Sequence, residues 1–318
     1  MTNAEFAAGL ALRDPIGWHD FTQLVRTGEQ AGYETVFLPE ILGRDALVAL
    51  GALAGETTRM RLATGVVPIG SRRALIVAMA AATIQERSGG RMILGLGTGP
   101  SVPGALDRLR AYVVAVRALL RGESVVMGGR TISLSLRVDP APEVWISALG
   151  PRAMALAGEL ADGVLLNWCP PERVTVARER VREGAEAAGR DPSGVRVAVY
   201  VRACVGTEED AALAELRRAA AAYAGVPAYR RQFEAVGRGA EADAAAAAGR
   251  EGDDRLVPET LVRRVCLLGD PAEARRRLQA YREAGADLPV VYPVAALDPA
   301  SSVLGTTIAL APSPGLVS

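Results

Sequence analysis

The sequence predicts an α/β protein whose eight buried parallel strands close into a (β/α)8 barrel, and three observations carry that reading. First, short runs rich in Val, Ile and Leu alternate with helix-favouring stretches almost to the end of the chain, the pattern of parallel strands covered on both faces by helices. Second, glycines stand where strands end: Gly65 in Leu62–Val67, and Gly95, Gly97 and Gly99 in and after Met92–Leu96. In parallel α/β proteins the carboxyl ends of strands carry the chemistry, and a residue without Cβ lets backbone approach a ligand there. Third, the 318 residues exceed the ~250 of a plain barrel, and the surplus falls mainly at one place, between strands seven and eight.

Taken in order, Gly9–Leu12 reads as the first strand. Asp14-Pro15 supplies a cap and a first-turn proline for a helix that Gly32 follows, with Trp18, Phe21, Leu24, Val25 and Ala31 as its apolar stripe. Thr35–Leu38 is the second strand and Ala46–Gly55 its helix. Leu62–Val67 is the third strand, Arg73–Arg87 a helix stopped by Gly89-Gly90, and Met92–Leu96 the fourth strand, followed by helix Leu106–Leu120. Ser124–Met127 and Thr131–Val138 flank Gly128-Gly129 as a hairpin-like excursion. Strand Val144–Ala148 with helix Arg152–Leu160, strand Gly163–Asn167 with helix Glu172–Ala188, and strand Val195–Val205 with helix Glu208–Tyr223 continue the alternation.

The Ala- and Gly-rich stretch Tyr223–Pro258 reads as an insertion, either a lid or substrate-side subdomain or a mobile surface loop. The last unit opens on Asp270-Pro271-Ala272-Glu273, a capping box with proline at the first helical position. It runs to Glu283 and closes with strand Leu288–Val291. Residues 1–297 therefore form one barrel domain, and the tail 298–318 has little helix or strand signal.

Composition narrows the chemistry. Half the residues are apolar and the 36 basic side chains balance 36 acidic ones, which gives no sign of disorder or of a nucleic-acid partner. No apolar run has transmembrane length and residues 1–14 show no signal-peptide pattern. Cys169, Cys204 and Cys266 have no metal or redox spacing, so a reduced, cytoplasmic protein is expected. There is no lysine, so a Schiff base or a Walker-A loop lacks its key residue. The single histidine, His19, cannot build a His-based metal cluster and reads as structural. A chain with a glycine-lined pocket and few catalytic side chains is expected to borrow its chemistry from a cofactor. The run GLGTG, 95–99, is not a dinucleotide fingerprint, because Pro100 and Ser101 break the G-x-G-x-x-G spacing and the run lies in the fourth unit.

Four segments in register then resemble the luciferase-like flavin and deazaflavin oxidoreductases, in particular the branch that uses coenzyme F420, which includes methylenetetrahydromethanopterin reductase-type proteins. They are RDALVALGALAGETTRMRLATGVV (44–67), SGGRMILGLGTG (88–99), PEVWISALGPRAMALAGELADGVLLNW (142–168) and LLGDPAEARRRLQAYREAGAD (267–287). The resemblance implies a dimeric TIM barrel acting on a small-molecule substrate, with no membrane or nucleic-acid partner. The cofactor it implies is coenzyme F420, with FMN and an oxygen-using monooxygenation as the alternative. A non-catalytic flavin-binding accessory protein is a third reading, prompted by Ile41 where relatives often carry a histidine.

Residue by residue, the resemblance places Gly65 and Val66 at a non-prolyl, often cis, peptide behind the cofactor ring. It places Gly95, Gly97 and Gly99 along the cofactor side chain. Ala148, Leu149, Gly150 and Pro151 match a turn whose amides hold a phosphate, in keeping with the affinity of helix N-termini for anions. Glu40, at the end of strand two, is the candidate acid or base if burial raises its pKa, or else a carboxylate that hydrogen-bonds the cofactor or pairs Arg44. Trp168 and Tyr292, at the ends of strands six and eight, are candidates for the substrate pocket or for core filling.

Overall fold

In the computed structural model, residues 7–99 and 102–312 are described. The opening residues 1–6, Pro100, Ser101 and the last six residues of the tail lie outside them. The chain runs β1 (Gly9–Ala11), α1 (Trp18–Gln30), β2 (Thr35–Leu38), α2 (Ala46–Leu53), β3 (Arg61–Thr64), β4 (Val67–Pro68), α3 (Ala74–Ser88), β5 (Met92–Gly97) and α4 (Ala105–Leu120). A hairpin of β6 (Val125–Met127) and β7 (Arg130–Ile132) follows, then β8 (Glu143–Ser147), α5 (Pro151–Leu160), β9 (Gly163–Asn167), α6 (Pro171–Ala187), β10 (Arg196–Val205) and α7 (Glu209–Ala224). The last third holds α8 (Pro227–Glu234), α9 (Gly239–Glu251), α10 (Glu259–Val265), β11 (Cys266–Gly269), α11 (Pro271–Glu283), β12 (Leu288–Pro293) and α12 (Pro299–Ala309).

Strands β1, β2, β3, β5, β8, β9, β10 and β12 pair in that order, all parallel, and the β12–β1 pairing closes the ring. This is the (β/α)8 barrel the alternation predicts. Two layers of apolar side chains hold it. Inside, Phe37, Ala63, Ile93, Trp145, Leu165, Tyr200, Val290 and Tyr292 fill the barrel. Outside, the other face of each strand packs against the helices through residues such as Leu10, Val36, Leu62, Leu94, Ile146 and Val199. Period-two alternation on strands buried on both faces makes the two layers possible.

Local chemistry sets the helix ends. Asp45 accepts the Val48 amide at 3.0 Å to start α2, and Asp270 accepts the Glu273 amide at 2.8 Å to start α11, as the capping box predicts. Gly89 ends α3 in the left-handed region, φ +66°, where a side chain would be strained.

The structure departs from the sequence reading in five places. Asp14 caps no helix: its carboxylate accepts the Arg44 amide at 2.6 Å and pairs with the Arg44 guanidinium, so the chain bends and α1 begins at Trp18. Trp18 is 45 % exposed rather than part of the buried stripe, and stacks on Phe21 beside Arg44. The excursion after α4 is shorter than predicted, two three-residue strands. An unpredicted strand, β11, pairs with Arg202–Val205, because the ten-residue β10 outruns both of its barrel neighbours. The tail also carries a helix. In α12, started by Asp298, the Thr306 hydroxyl accepts the Val205 amide at 3.0 Å and donates to the Val205 carbonyl at 3.1 Å, while Tyr33 donates to the Thr307 carbonyl at 2.9 Å. The Ser-, Gly- and Thr-rich interior of that helix has poor intrinsic propensity, so tertiary contacts decide its state. Among the described residues no helix is long and apolar enough to cross a membrane.

Candidate active site

At the carboxyl ends of the strands a cavity of about 640 Å³ opens, walled by the β2, β3, β5 and β8 loops, by β9, β10 and β12, and by α8. Its floor is built at Gly65. Pairing between β3 and β5 stops at Ala63, resuming between β4 and β5 at Val67. The gap is bridged by a side chain: Thr64 Oγ1 accepts the Gly95 amide and donates to the Gly95 carbonyl, both at 2.8 Å. Within the gap the Gly65–Val66 peptide is cis. Tyr200 on β10 donates its hydroxyl to the Gly65 carbonyl at 3.0 Å. A Cβ on Gly65 would stand 1.7 Å from that hydroxyl, so only glycine fits. Burial pushes the Tyr200 pKa well up, so it stays a neutral donor.

Glu40 lies in the wall, just past β2. Its Oε1 accepts from Arg72 Nε at 2.8 Å and from Ser71 at 3.3 Å, and Arg72 also pairs with Asp45. The partner is therefore Arg72, not Arg44, which Asp14 claims. Glu40 and then Asp45 push the Arg72 pKa further up, so this cation is permanent. Oε2 of Glu40 is buried without a hydrogen bond, which leaves one carboxylate oxygen of a wall residue unclaimed.

Opposite, Leu149, Gly150 and Pro151 line the cavity where α5 begins. The Ala153 and Met154 amides both return to the Gly150 carbonyl at 3.1 Å. Pro151 has no N–H, so the free donors at this end are the Arg152 amide and that of the cap residue Gly150, which have no intrahelical acceptor and favour an anion. Arg152 and Arg231 stand in the same wall.

Of the sequence candidates, Glu40, Gly65, Val66, Gly97, Gly99, Leu149, Gly150, Pro151 and Tyr292 all line this one cavity. Three do not. Gly95 lies beneath the floor, where a Cβ would meet the Thr64 carbonyl at 2.1 Å. The Ala148 amide is spent on the Leu165 carbonyl at 3.1 Å. Trp168, 1 % exposed, sits behind Arg202 with their centres 4.4 Å apart. His19 is exposed on α1. The thiols of Cys169 and Cys266 are buried and pushed up to about 12 by that burial, hence inert.

The sequence reading missed Tyr200, Arg202 and Asn167, all in the wall. A signal existed: in VRVAVYVRACV, the run 195–205, alternation puts Tyr200 and Arg202 on one face, and an arginine inside a buried strand is out of place. The segment between β10 and β12 also contributes. Tyr223, Val226, Ala228 and Tyr229 face the cavity, and α8 is pinned to β9 by Gln232, which donates to the Asn167 and Trp168 carbonyls at 2.5 and 2.8 Å.

The family model described as luciferase-like monooxygenase matches residues 2–288. The chain is 31 % identical over 283 residues to the 5,10-methylenetetrahydromethanopterin reductase of Methanolobus tindarius, covering 82 % of this chain and 86 % of that one. Its fold is similar to the coenzyme F420-dependent tetrahydromethanopterin reductase of Methanopyrus kandleri, TM-score 0.77 at 22 % identity, covering 96 % of this chain and 98 % of that one. It is also similar to an F420-dependent secondary alcohol dehydrogenase, TM-score 0.78 at 18 % identity, covering 96 % and 99 %. With a family match that runs through the barrel and its cavity, the chain belongs to the luciferase-like monooxygenase family.

Proposed function

We propose that this chain is an oxidoreductase that uses coenzyme F420 and a small organic substrate. The observation that carries the proposal is the floor at Gly65–Val66, without a side chain at Gly65 and held by Tyr200, facing a cavity large enough for a planar ring and a second molecule. The relatives named for F420 and for tetrahydromethanopterin reduction support this cofactor over FMN. When bound, the deazaflavin supplies or accepts a hydride, and the protein supplies binding, orientation and exclusion of water.

The residues present fit that group. Gly65, Val66, Gly97 and Gly99 give a backbone surface for a flat ring and its side chain. The opening amides of α5, with Arg152, suit a phosphate. Glu40, fixed by Arg72 through Oε1, keeps Oε2 ready to accept a hydrogen bond from the ring or to hold a substrate proton. Tyr292 closes the far side. Burial raises its pKa against the opposing charges of Arg202 and Arg13. A homodimer in the cytoplasm belongs to this reading on the strength of the family resemblance.

Titrating the purified protein in parallel with coenzyme F420 and with FMN tests it. Tight binding of F420 and weak binding of FMN is the expected result. The reverse makes FMN and oxygen the working pair, and binding of neither removes the cofactor reading. Redox turnover of the bound cofactor excludes an accessory protein without catalysis.

A further inference from the structure

Arg202 is 3 % exposed, yet among the described residues it makes no salt bridge. Its one hydrogen bond goes from Nη1 to Asn167 Oδ1, a neutral amide that itself donates to the Tyr229 hydroxyl at 2.8 Å. The guanidinium lies 4.4 Å from the Trp168 ring centre, 4.5 Å from Tyr292, 5.1 Å from Tyr223 and 5.9 Å from Tyr200. Rings attract a cation but do not neutralise it. A guanidinium has five N–H donors, and four of those of Arg202 have no acceptor among the described residues.

Each carboxylate that lines either neighbouring cavity pairs with another arginine. Glu40 is held by Arg72, Asp14 by Arg44, and Glu215 by Arg218 at 2.6 Å. Arg202, Tyr223 and Tyr292 also form the partition between the main cavity and a second one of about 410 Å³ lined by Arg13, Ile16, Ala219 and Val294. A buried charge is normally paired; this one lines two cavities instead.

We propose that Arg202 recognises a carboxylate on the substrate, seated in a ring of aromatic side chains at the partition between the two cavities. This deepens the oxidoreductase reading and rests on it for the identity of the ligand as substrate. The planar fork of arginine matches a carboxylate with two parallel hydrogen bonds. Asn167 and Tyr229 hold the fork in place, and the flanking rings suit a flat or apolar body behind the carboxylate.

Calorimetric titration of the F420-loaded protein with benzoate and with benzamide, its neutral counterpart of the same shape, tests this. Benzoate is expected to bind about tenfold or more tighter than benzamide, and Arg202→Met to lose that preference while F420 affinity stays essentially unchanged. Equal binding of the two probes by the wild-type protein, or an undiminished benzoate preference in a folded Arg202→Met, overturns the proposal. An equal loss of F420 affinity in Arg202→Met assigns the anion to the cofactor and overturns it too. If Arg202→Met does not fold, the wild-type ratio of the two probes decides, with Arg202→Lys as the variant that keeps the charge and loses the fork. Failure of the wild-type protein to bind F420 removes the cofactor reading alone, because benzoate and benzamide can then be compared on the cofactor-free protein.

Discussion

The hydroxyl of Tyr200 reaches across the barrel to the carbonyl of Gly65 at 3.0 Å, so the backbone of one strand end is positioned by a side chain from the opposite wall. Space is tight as well as polar there, since a Cβ on Gly65 would also meet Phe37 Cβ at 3.3 Å. Gly65→Ala is expected to abolish F420 binding and to lower the melting temperature. Tyr200→Phe removes only the hydroxyl and leaves the carbonyl without its partner, at about 1 kcal/mol or roughly fivefold in F420 affinity. The double variant Gly65→Ala/Tyr200→Phe is expected to melt higher than Gly65→Ala alone. A double variant no better than the single one would place the conflict elsewhere.

Glu40 separates two roles by kinetics. Glu40→Gln keeps the shape and the Arg72 contact through an amide oxygen but removes the charge and the proton-accepting oxygen. If Oε2 handles a proton, kcat falls by about 100-fold with F420 affinity nearly intact. If it only hydrogen-bonds the ring, the F420 dissociation constant rises and kcat holds. Unchanged values of both would remove Glu40 from the machinery.

Glu29 predicts an acid-sensitive joint far from the cavity. Burial works against its ionisation. The amides of Met60, Arg59 and Thr58, accepted at 2.7, 2.7 and 2.9 Å, outweigh burial and lower its pKa. A lowered native pKa means the stabilisation is complete above the ordinary glutamate value of about 4.3 and is lost as pH falls through the native value. Glu29→Gln should cost about 2 kcal/mol in urea unfolding at pH 7, and the gap to wild type should narrow steadily as the titration is repeated at more acid pH. A gap independent of pH would mean that packing, not charge, is what the glutamate contributes.

The closing helix is equally testable. Thr306 is fully buried and both of its polar contacts go to Val205. Thr306→Val strands a buried amide and carbonyl, which should cost about 2–3 kcal/mol by chemical unfolding. Ending the chain after Leu297 uncovers the outer face of β10 and should lower the melting temperature further. A truncated protein as stable as the full one would show that α12 is an appendage.

Much of this was legible because each barrel unit repeats one local chemistry. The unit reads as strand Leu62–Val67, helix Arg73–Arg87, glycine stop and strand Met92–Leu96; the helix and the second strand follow within a residue, while the first strand breaks at Gly65–Val66 into β3, which ends at Thr64, and β4. The Asp270 cap is local too. The failures share a physical cause, dependence on distant partners. Asp14 looks like a cap until Arg44, thirty residues on, takes its carboxylate. Helix α12 needs Val205 to hold it. Arg202 owes its setting to Trp168, Tyr223 and Tyr292, which come from three elements that spacing alone does not bring together.

Tyr200 and Arg202 stand two residues apart on the same face of the longest strand, which pairs with β9, β11 and β12. Two residues of strand advance about 6.6 Å. A rigid segment thus carries the support of the floor at one mark and the guanidinium at the next, and works as a ruler. With a carboxylate at Arg202, a substrate reaches the floor with its reactive carbon only if its skeleton spans the gap from the guanidinium to Gly65, which Tyr200 holds from across the barrel. Selectivity by length would then be written into one strand, whatever the loops around the mouth do.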